Sequence, residues 1–207
     1  MKFENTKVFG IENAIIGMRL PMSKDFEDAQ NKAGTWCKND VILTDNLNLA
    51  KKLVNADSSG KAGQPNSKFL RMIHVQVAVT APLYWWKEAD TYKIGTTANS
   101  TSTMHKLTSN EITFECFEHG RKMIPGMTIM FLEHIRQEYL ATKDKDLWKQ
   151  LIVNLPESWL QTRMFDCDYQ TLRNIYYWRK NHKLSEWHEF CDWIKTLPYA
   201  TELLISE

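Results

Sequence analysis

The sequence lacks the local patterns that usually mark a metal centre or a catalytic nucleophile. Its four cysteines are widely separated and form no CxxC pair, so we expect no zinc site at Cys37, Cys116, Cys167 or Cys191. There is no GxSxG turn, no Walker phosphate loop and no GxGxxG motif, and the six histidines are dispersed along the chain. If the protein is an enzyme, a cofactor therefore has to supply the difficult chemical step.

An excess of charge and long apolar runs are missing as well. Lys and Arg number 26 and Asp and Glu number 25, which gives a formal net charge of +1. General binding of nucleic acid is not expected without a basic excess, although the KNHK run at 180–183 suits a small anion. No apolar run is long enough to span a membrane, and the start MKFENTKVFG lacks the apolar region of a signal peptide. We therefore expect a cytoplasmic protein with reduced thiols and no membrane partner.

The apolar residues that are present predict one domain, residues 1–207, that mixes strands and helices. β-branched residues occupy alternate positions of the clearest predicted strand, namely Ile73, Val75, Val77 and Val79. Pro82 then favours the start of a helix. Apolar spacings of three and four predict further helices at 43–55, 127–140, 144–153 and 169–179, and one that Ser185 caps. Asp45 would cap the first of these if that helix starts late. Segment 7–22 alternates weakly and contains glycines, which predicts one or two short strands.

The most polar stretch of the chain is DTYKIGTTANSTSTMHK, residues 90–106. Eight of its residues are Thr, Ser or Asn, while the segments on both sides are apolar. A polar loop between packed elements is a common place for ligand-binding groups, but a solvated connector has the same composition. Lys93 offers a positive charge, and hydroxyl groups that can donate to phosphate oxygens follow it at Thr96, Thr97, Ser100 and Ser102. The stretch is thus either a nucleotide-binding loop or a solvated connector.

This stretch resembles a signature of the flavin-dependent thymidylate synthases. That family carries an Arg-His-Arg triplet at the end of a helix, followed by spaced Ser, Asn-Glu, Ser and Arg residues. Here Thr91, Tyr92 and Lys93 stand where the triplet would be. With one inserted residue, the later positions are matched by Asn99, Ser100, Ser102 and Met104.

A second segment, NLPESWLQTRMFDCDYQTLRNIYYWR, resembles the family's Leu-Pro stretch and its Asn-Ala-Arg-Ser-Leu helix. Asp168 stands at the Asn, Gln170 at the Arg, and Arg179 at the arginine that the family uses to hold and polarise the uracil nucleotide. Downstream, HKLSEWHEF is similar to the family's His-Ala-Gln-Trp-Glu-Ile run, with Glu186 near the Gln. The resemblance covers about residues 71–193.

The resemblance implies an α+β fold with a mixed or antiparallel sheet flanked by helices, and a homotetramer that binds FAD and dUMP. It implies methylenetetrahydrofolate and NADPH as co-substrates and no metal. Arg179 would be the catalytic residue, and the substrate would contact Lys93, Ser100, Ser102, Arg179 and Glu186. The flavin would contact Thr91, Tyr92, Lys93, Asn99, Asp168, Gln170 and His182.

Strings such as APLYWWKE and NSTSTMHK also resemble a divergent phage and prophage branch of this superfamily, which implies the host cytoplasm. Thr91, Tyr92 and Met104 lack the charges or donors of the family's residues. Candidates to replace those charges are Arg71, Lys87 and Arg173. Two functions are therefore open. One is FAD-dependent transfer of a one-carbon unit to a uridine-type deoxynucleotide, and the other is non-catalytic binding of a nucleotide or nucleic acid on the same scaffold.

Overall fold

The computed structural model describes residues 1–34, 41–58 and 66–205, so Cys37 lies outside the described residues. Four strands form one antiparallel sheet in the order β1-β2-β4-β3: β1 (Lys2–Phe9), β2 (His74–Pro82), β3 (Thr96–Ser100) and β4 (Leu160–Asp168). The helices are α1 (Ile11–Arg19), α2 (Phe26–Ala33), α3 (Thr44–Ser58), α4 (Leu83–Ala89), α5 (Thr103–Lys106), α6 (Gly120–Met123), α7 (Gly126–Thr142), α8 (Lys145–Val153), α9 (Tyr169–Arg179), α10 (Ser185–Lys195) and α11 (Ala200–Leu203). The α+β fold with a sheet and flanking helices is confirmed.

The chain is organised in two compact units, and each strand of the sheet is divided between them. The first unit contains Met1–Glu4, Ala78–Tyr92 and Ala98–Met164. The second unit contains Asn5–Val77, Lys93–Thr97 and Phe165–Glu207. Helices α4 to α8 therefore belong to the first unit, and α1 to α3 and α9 to α11 belong to the second.

The core of the second unit confirms the strongest predictions from the sequence. The β-branched residues that belong to this unit, Ile73, Val75 and Val77, are fully buried, and α9 and α10 bury the apolar positions that share one helical face. On α10, Trp187 and Phe190 pack edge to face with ring centroids 5.8 Å apart, and Phe165 of β4 lies 6.4 Å from Phe190. This aromatic packing fixes α10 against the end of β4.

The core of the first unit is built around α7 and α8. Their buried side chains form one cluster with residues that follow α5, comprising Leu107, Ile112, Phe117, Leu132, Ile135 and Leu151. The helices predicted at 127–140 and 144–153 are confirmed as α7 and α8. Pro125 directly precedes α7, and the Asp144 carboxylate accepts a hydrogen bond from the Asp146 amide at the start of α8. Helix α4 begins directly after Pro82, also as predicted.

The prediction of one or two strands over 7–22 is wrong beyond Phe9. Gly10 takes a left-handed conformation at φ 85° and lies so close to the Met72 carbonyl that a side chain would overlap with it. That turn ends β1 and starts α1, which buries Ala14, Ile15 and Met18 on one face. The glycines in this segment favoured a prediction of short strands, although the apolar residues of α1 recur at helical spacing.

The polar stretch is not only a loop, because it contains β3 and the short helix α5. β3 is an edge strand whose side chains are mostly exposed, so backbone pairing with β4 holds it rather than burial. Two predicted caps also differ: Asp45 lies in the first turn of α3, and Leu184 rather than Ser185 precedes α10. No helix in the described part of the chain is long and apolar enough to cross a membrane.

Candidate functional site

In the second unit, the part of the polar stretch that carries Lys93 is fixed to the start of α9. Gly95 has φ 74°, a left-handed conformation that favours glycine. The Asp168 amide donates to the Gly95 carbonyl at 3.2 Å, and the Thr171 hydroxyl donates to the Ile94 carbonyl at 3.1 Å. We call residues 93–97, held in this way, the Gly95 turn. It presents Lys93 from a defined backbone.

Two predicted flavin contacts, Asp168 and Gln170, form hydrogen bonds with other residues of the protein. The Asp168 carboxylate is buried and caps α9 by accepting from the Thr171 amide at 2.7 Å. The Gln170 side chain accepts from the Ser67 hydroxyl at 2.8 Å, and its amide nitrogen lies 3.3 Å from Asn174 Oδ1. Both residues therefore already have hydrogen-bond partners at the start of α9.

Lys93 is the predicted site residue whose charge is most accessible. Its side chain is exposed, and among the residues that the structure describes its ammonium group has no hydrogen-bond or ion-pair partner. Ile94 beside it is 85% exposed, so the turn projects into solvent. The arrangement leaves Lys93 available to an anionic ligand.

In the first unit, the remaining residues of the polar stretch divide into exposed groups and capping groups. Asn99 and Ser100 are exposed on β3. Ser102 is half-buried and its hydroxyl accepts from the His105 amide at 3.1 Å, which caps α5. The Thr91 hydroxyl donates to the Glu88 carbonyl at 2.7 Å, and Tyr92 follows it half-buried. Asn99 and Ser100 therefore keep accessible polar groups.

In the second unit, three other predicted residues lie in the segment where α9 ends and α10 begins. The guanidinium of Arg179 lies over the indole of Trp187, 4.5 Å from the ring centroid. The His182 ring meets the same indole edge to face at 6.2 Å. Glu186 precedes Trp187 in the first turn of α10 and is buried, at a helix end that favours a carboxylate. We call Arg179, His182, Glu186 and Trp187 the Arg179 cluster.

The geometry of this cluster orients the Arg179 guanidinium. Arg179 is the last residue of α9 and is half-buried. Trp187 is fully buried, so its position is set by the core and it supports the guanidinium as a fixed planar surface. An oriented guanidinium can offer paired N–H donors to a carbonyl or phosphate oxygen.

Of the charges proposed as replacements, Arg173 and Lys87 already have partners. Arg173 is buried, donates to the Leu204 carbonyl at 3.1 Å and lies over the Tyr177 ring at 4.8 Å. Lys87 is paired with Glu157. Arg71 is exposed. Arg71 is therefore the one of the three that is exposed and has no ion-pair partner among the residues that the structure describes.

Sequence reasoning missed Arg163, which holds a charged network in the first unit. Its guanidinium pairs with Asp90 at 2.8 Å, donates to Gln161 at 3.0 Å and lies over the Trp86 ring at 4.3 Å. Its side chain is 16% exposed. The sequence did contain one indication of this network. Gln161 and Arg163 are two residues apart in β4, and residues at that spacing lie on the same face of a strand.

The buried thiols have environments that suppress reactivity. Burial raises the pKa of the Cys167 thiol well above its usual value, and burial also raises the pKa of the Cys191 thiol to about 11. Because the thiolate is the nucleophilic form, both groups are protonated at neutral pH. Packing rather than chemistry explains these two residues.

Comparison with proteins of known structure identifies the fold. No protein-family model and no curated protein sequence matches the chain. Two crystal structures of the flavin-dependent thymidylate synthase ThyX from Helicobacter pylori with FAD and dUMP match with TM-scores of 0.70 and 0.71, at 16% and 14% identity, over 99% of this chain and 98% of theirs. The UMP/dUMP methylase PolB from Streptomyces cacaoi, bound with 5-Br dUMP, matches with a TM-score of 0.61 at 13% identity, over 98% of this chain and 93% of its own. The chain therefore has the fold of the flavin-dependent thymidylate synthases.

Proposed function

We propose that the protein binds FAD and a uridine-type deoxynucleotide and transfers a one-carbon unit to the pyrimidine. The observation that carries this proposal is the fold. Over 98% to 99% of its length, this chain matches proteins that were solved with FAD and dUMP or with 5-Br dUMP. Methylenetetrahydrofolate would be the carbon donor and NADPH the reductant, as the family resemblance implies. The homotetramer and the phage-host cytoplasm stay predictions.

Arg179 would be the catalytic residue of this reaction. Its guanidinium is held over Trp187, so binding of a substrate costs little further ordering of the side chain. Negative charge that develops on a pyrimidine carbonyl oxygen would be stabilised by N–H donors that are already oriented. Glu186 follows in the same cluster and would contact the substrate there.

Lys93 would bind a phosphate group of the nucleotide. Its ammonium group is exposed on the Gly95 turn, and a lysine binds phosphate as a compact positive charge. A charge-assisted contact of this kind contributes about 1.5 to 3 kcal/mol. Ser100 and Ser102 remain proposed as hydroxyl donors in the first unit.

The residues present fit FAD in part. The diphosphate of FAD is an anion, and the exposed ammonium group of Lys93 suits it. His182, whose Nδ1 accepts from the Leu184 amide at 3.2 Å, stays proposed as a further flavin contact. Asn99 offers an accessible amide in the first unit, while Asp168 and Gln170 use side-chain oxygens within the fold. When bound and reduced by NADPH, the flavin would supply the hydride that completes formation of a methyl group.

The second candidate function is non-catalytic binding of a nucleotide or nucleic acid on the same scaffold. Two observations favour it. Asp168 and Gln170 are occupied by capping and side-chain contacts, and two of the three proposed replacement charges, Lys87 and Arg173, are paired or buried. Such a protein would keep Lys93 and Arg179 as anion contacts without the redox step.

Reconstitution with FAD separates the two candidates. The purified protein is incubated with FAD, passed through a gel-filtration column and examined for a visible flavin spectrum, while calorimetry measures binding of dUMP. dCMP is the matched control, since it has the same phosphate on a different pyrimidine. Retained flavin and preference for dUMP support the proposed enzyme. A colourless protein that still binds dUMP supports the second candidate, and growth of a thymidine-requiring host that expresses the chain tests the activity in cells.

A further inference from the structure

The Gly95 turn is joined to α9 by contacts between segments that are distant in sequence. Thr171 Oγ1 donates to the Ile94 carbonyl at 3.1 Å across a separation of 77 residues. The Asp168 amide donates to the neighbouring Gly95 carbonyl at 3.2 Å. The Asp168 carboxylate accepts from the Thr171 amide at 2.7 Å, which fixes the two donors relative to each other. Two successive carbonyl groups of the turn are thus restrained by one helix start.

The space beneath the turn admits no side chain on Gly95. A Cβ atom there would overlap with Asp168 Oδ2 and would lie 2.6 Å from Thr171 Oγ1. The left-handed conformation at φ 74° adds to this requirement for glycine. The backbone of the turn therefore lies directly on Asp168 and Thr171.

We propose that Thr171 is a positioning residue that fixes Lys93 for contact with the phosphate of the nucleotide. The inference rests on the proposed function of Lys93. Lys93 directly precedes Ile94, whose carbonyl accepts the Thr171 hydroxyl, so this hydrogen bond restrains the backbone from which the lysine side chain extends. A long flexible side chain on a fixed backbone loses less conformational freedom on binding than one on a mobile loop.

The role assigned to Thr171 is separable from the capping of α9. Its amide is the group that the Asp168 carboxylate caps, whereas its hydroxyl is the group that contacts the turn. Thr171→Val removes the hydroxyl and keeps the branched shape and the amide. Thr171→Ser keeps the hydroxyl and is the conservative rescue variant. Thermal unfolding monitored by circular dichroism checks that both variants fold.

The experiment compares binding of dUMP with binding of deoxyuridine, which lacks the phosphate. Lys93→Ala is expected to weaken dUMP binding about tenfold or more and to leave deoxyuridine binding unchanged. Thr171→Val is expected to weaken dUMP binding by about three- to tenfold, again without an effect on deoxyuridine, and Thr171→Ser to restore it. In the double variant, Thr171→Val should add little to Lys93→Ala, because the two residues act on one contact.

Hydrogen exchange of residues 93–97 gives an independent measurement. Thr171→Val and Gly95→Ala should both accelerate exchange in this segment, because each loosens or displaces the turn. If Lys93→Ala weakens dUMP binding while Thr171→Val leaves both dUMP binding and exchange unchanged, the positioning role of Thr171 is refuted and the role of Lys93 stands. Equal weakening of dUMP and deoxyuridine by Thr171→Val also refutes it. If Lys93→Ala has no effect on dUMP binding, the proposed function of Lys93 fails, and the role of Thr171 fails with it.

Discussion

The guanidinium of Arg179 lies over the indole of Trp187, with 4.5 Å between its central carbon and the ring centroid. Trp187 is fully buried and Arg179 is half-buried at the last position of α9. The core of the second unit therefore supports one face of the arginine and orients its guanidinium plane.

We predict that Arg179→Ala weakens dUMP binding by about ten- to a hundredfold, because a charge-assisted contact is lost. Arg179→Lys keeps the charge but not the planar pair of donors, so its affinity should lie between those of the wild type and the alanine variant. Calorimetric titration with dUMP measures both. Arg121→Ala is the control, since Arg121 is an exposed, ion-paired arginine of the first unit. Unchanged affinity in Arg179→Ala would remove Arg179 from the nucleotide site.

The second prediction concerns the stability of the first unit at low pH. The Glu133 carboxylate accepts from Arg136 at 2.7 and 2.8 Å and from the Ile112 amide at 2.8 Å. Above all, the Arg136 hydrogen bonds lower the pKa of Glu133 from 4.5 to about 2. The folded protein thus binds this proton less readily than the unfolded chain, and the resulting stabilisation is present above about pH 4.5 and lost as pH falls towards 2.

Unfolding by urea at a series of pH values measures this dependence. The free energy of unfolding should fall between about pH 5 and pH 2, with up to about 3 kcal/mol attributable to Glu133. In Glu133→Gln this part of the pH dependence should be absent. Glu138→Gln, which changes an exposed glutamate on the same helix, is the control and should retain it. A Glu133→Gln profile parallel to that of the wild type would contradict the assignment.

The third prediction concerns thiol reactivity. Cys167 and Cys191 are buried, and burial raises the pKa of each thiol, whereas Cys116 is half-exposed. In a Cys37→Ser background, we expect a thiol reagent to modify Cys116 in the native protein and the other two only after unfolding. Mass spectrometry of the labelled peptides distinguishes the sites. Rapid native labelling of Cys167 would show that the end of β4 opens readily.

Much of the fold was predictable where buried apolar residues recur at a regular spacing in the sequence. The bounds of α9 at 169–179 and the buried face of β2 follow from spacings of 3.6 and 2 residues. β3 was not predictable, because an edge strand with exposed side chains leaves no apolar pattern. The start of α1 was not predictable, because it depends on a turn at Gly10. Glycine is needed there since the backbone lies close to the carbonyl of Met72, a residue that is distant in the sequence.

For the candidate site, the sequence predicted which residues take part but not the contacts that they make. The family resemblance indicated Arg179 at the end of α9, but the stacking of Arg179 on Trp187 depends on how α10 packs. The Gly95 turn depends on Thr171, 77 residues from its partner Ile94, and no local pattern reports such a contact. The capping role of Asp168 was missed, although an Asp directly before a helix predicted to begin at Tyr169 is a favoured N-cap.

Formation of dTMP tests the central proposal most directly. The purified protein is incubated with dUMP, methylenetetrahydrofolate, NADPH and FAD, and the nucleotides are separated by chromatography. We predict that dTMP forms, that its formation requires FAD, and that Arg179→Ala abolishes it while Arg121→Ala does not. A protein that binds FAD and dUMP but forms no dTMP would contradict the proposed activity.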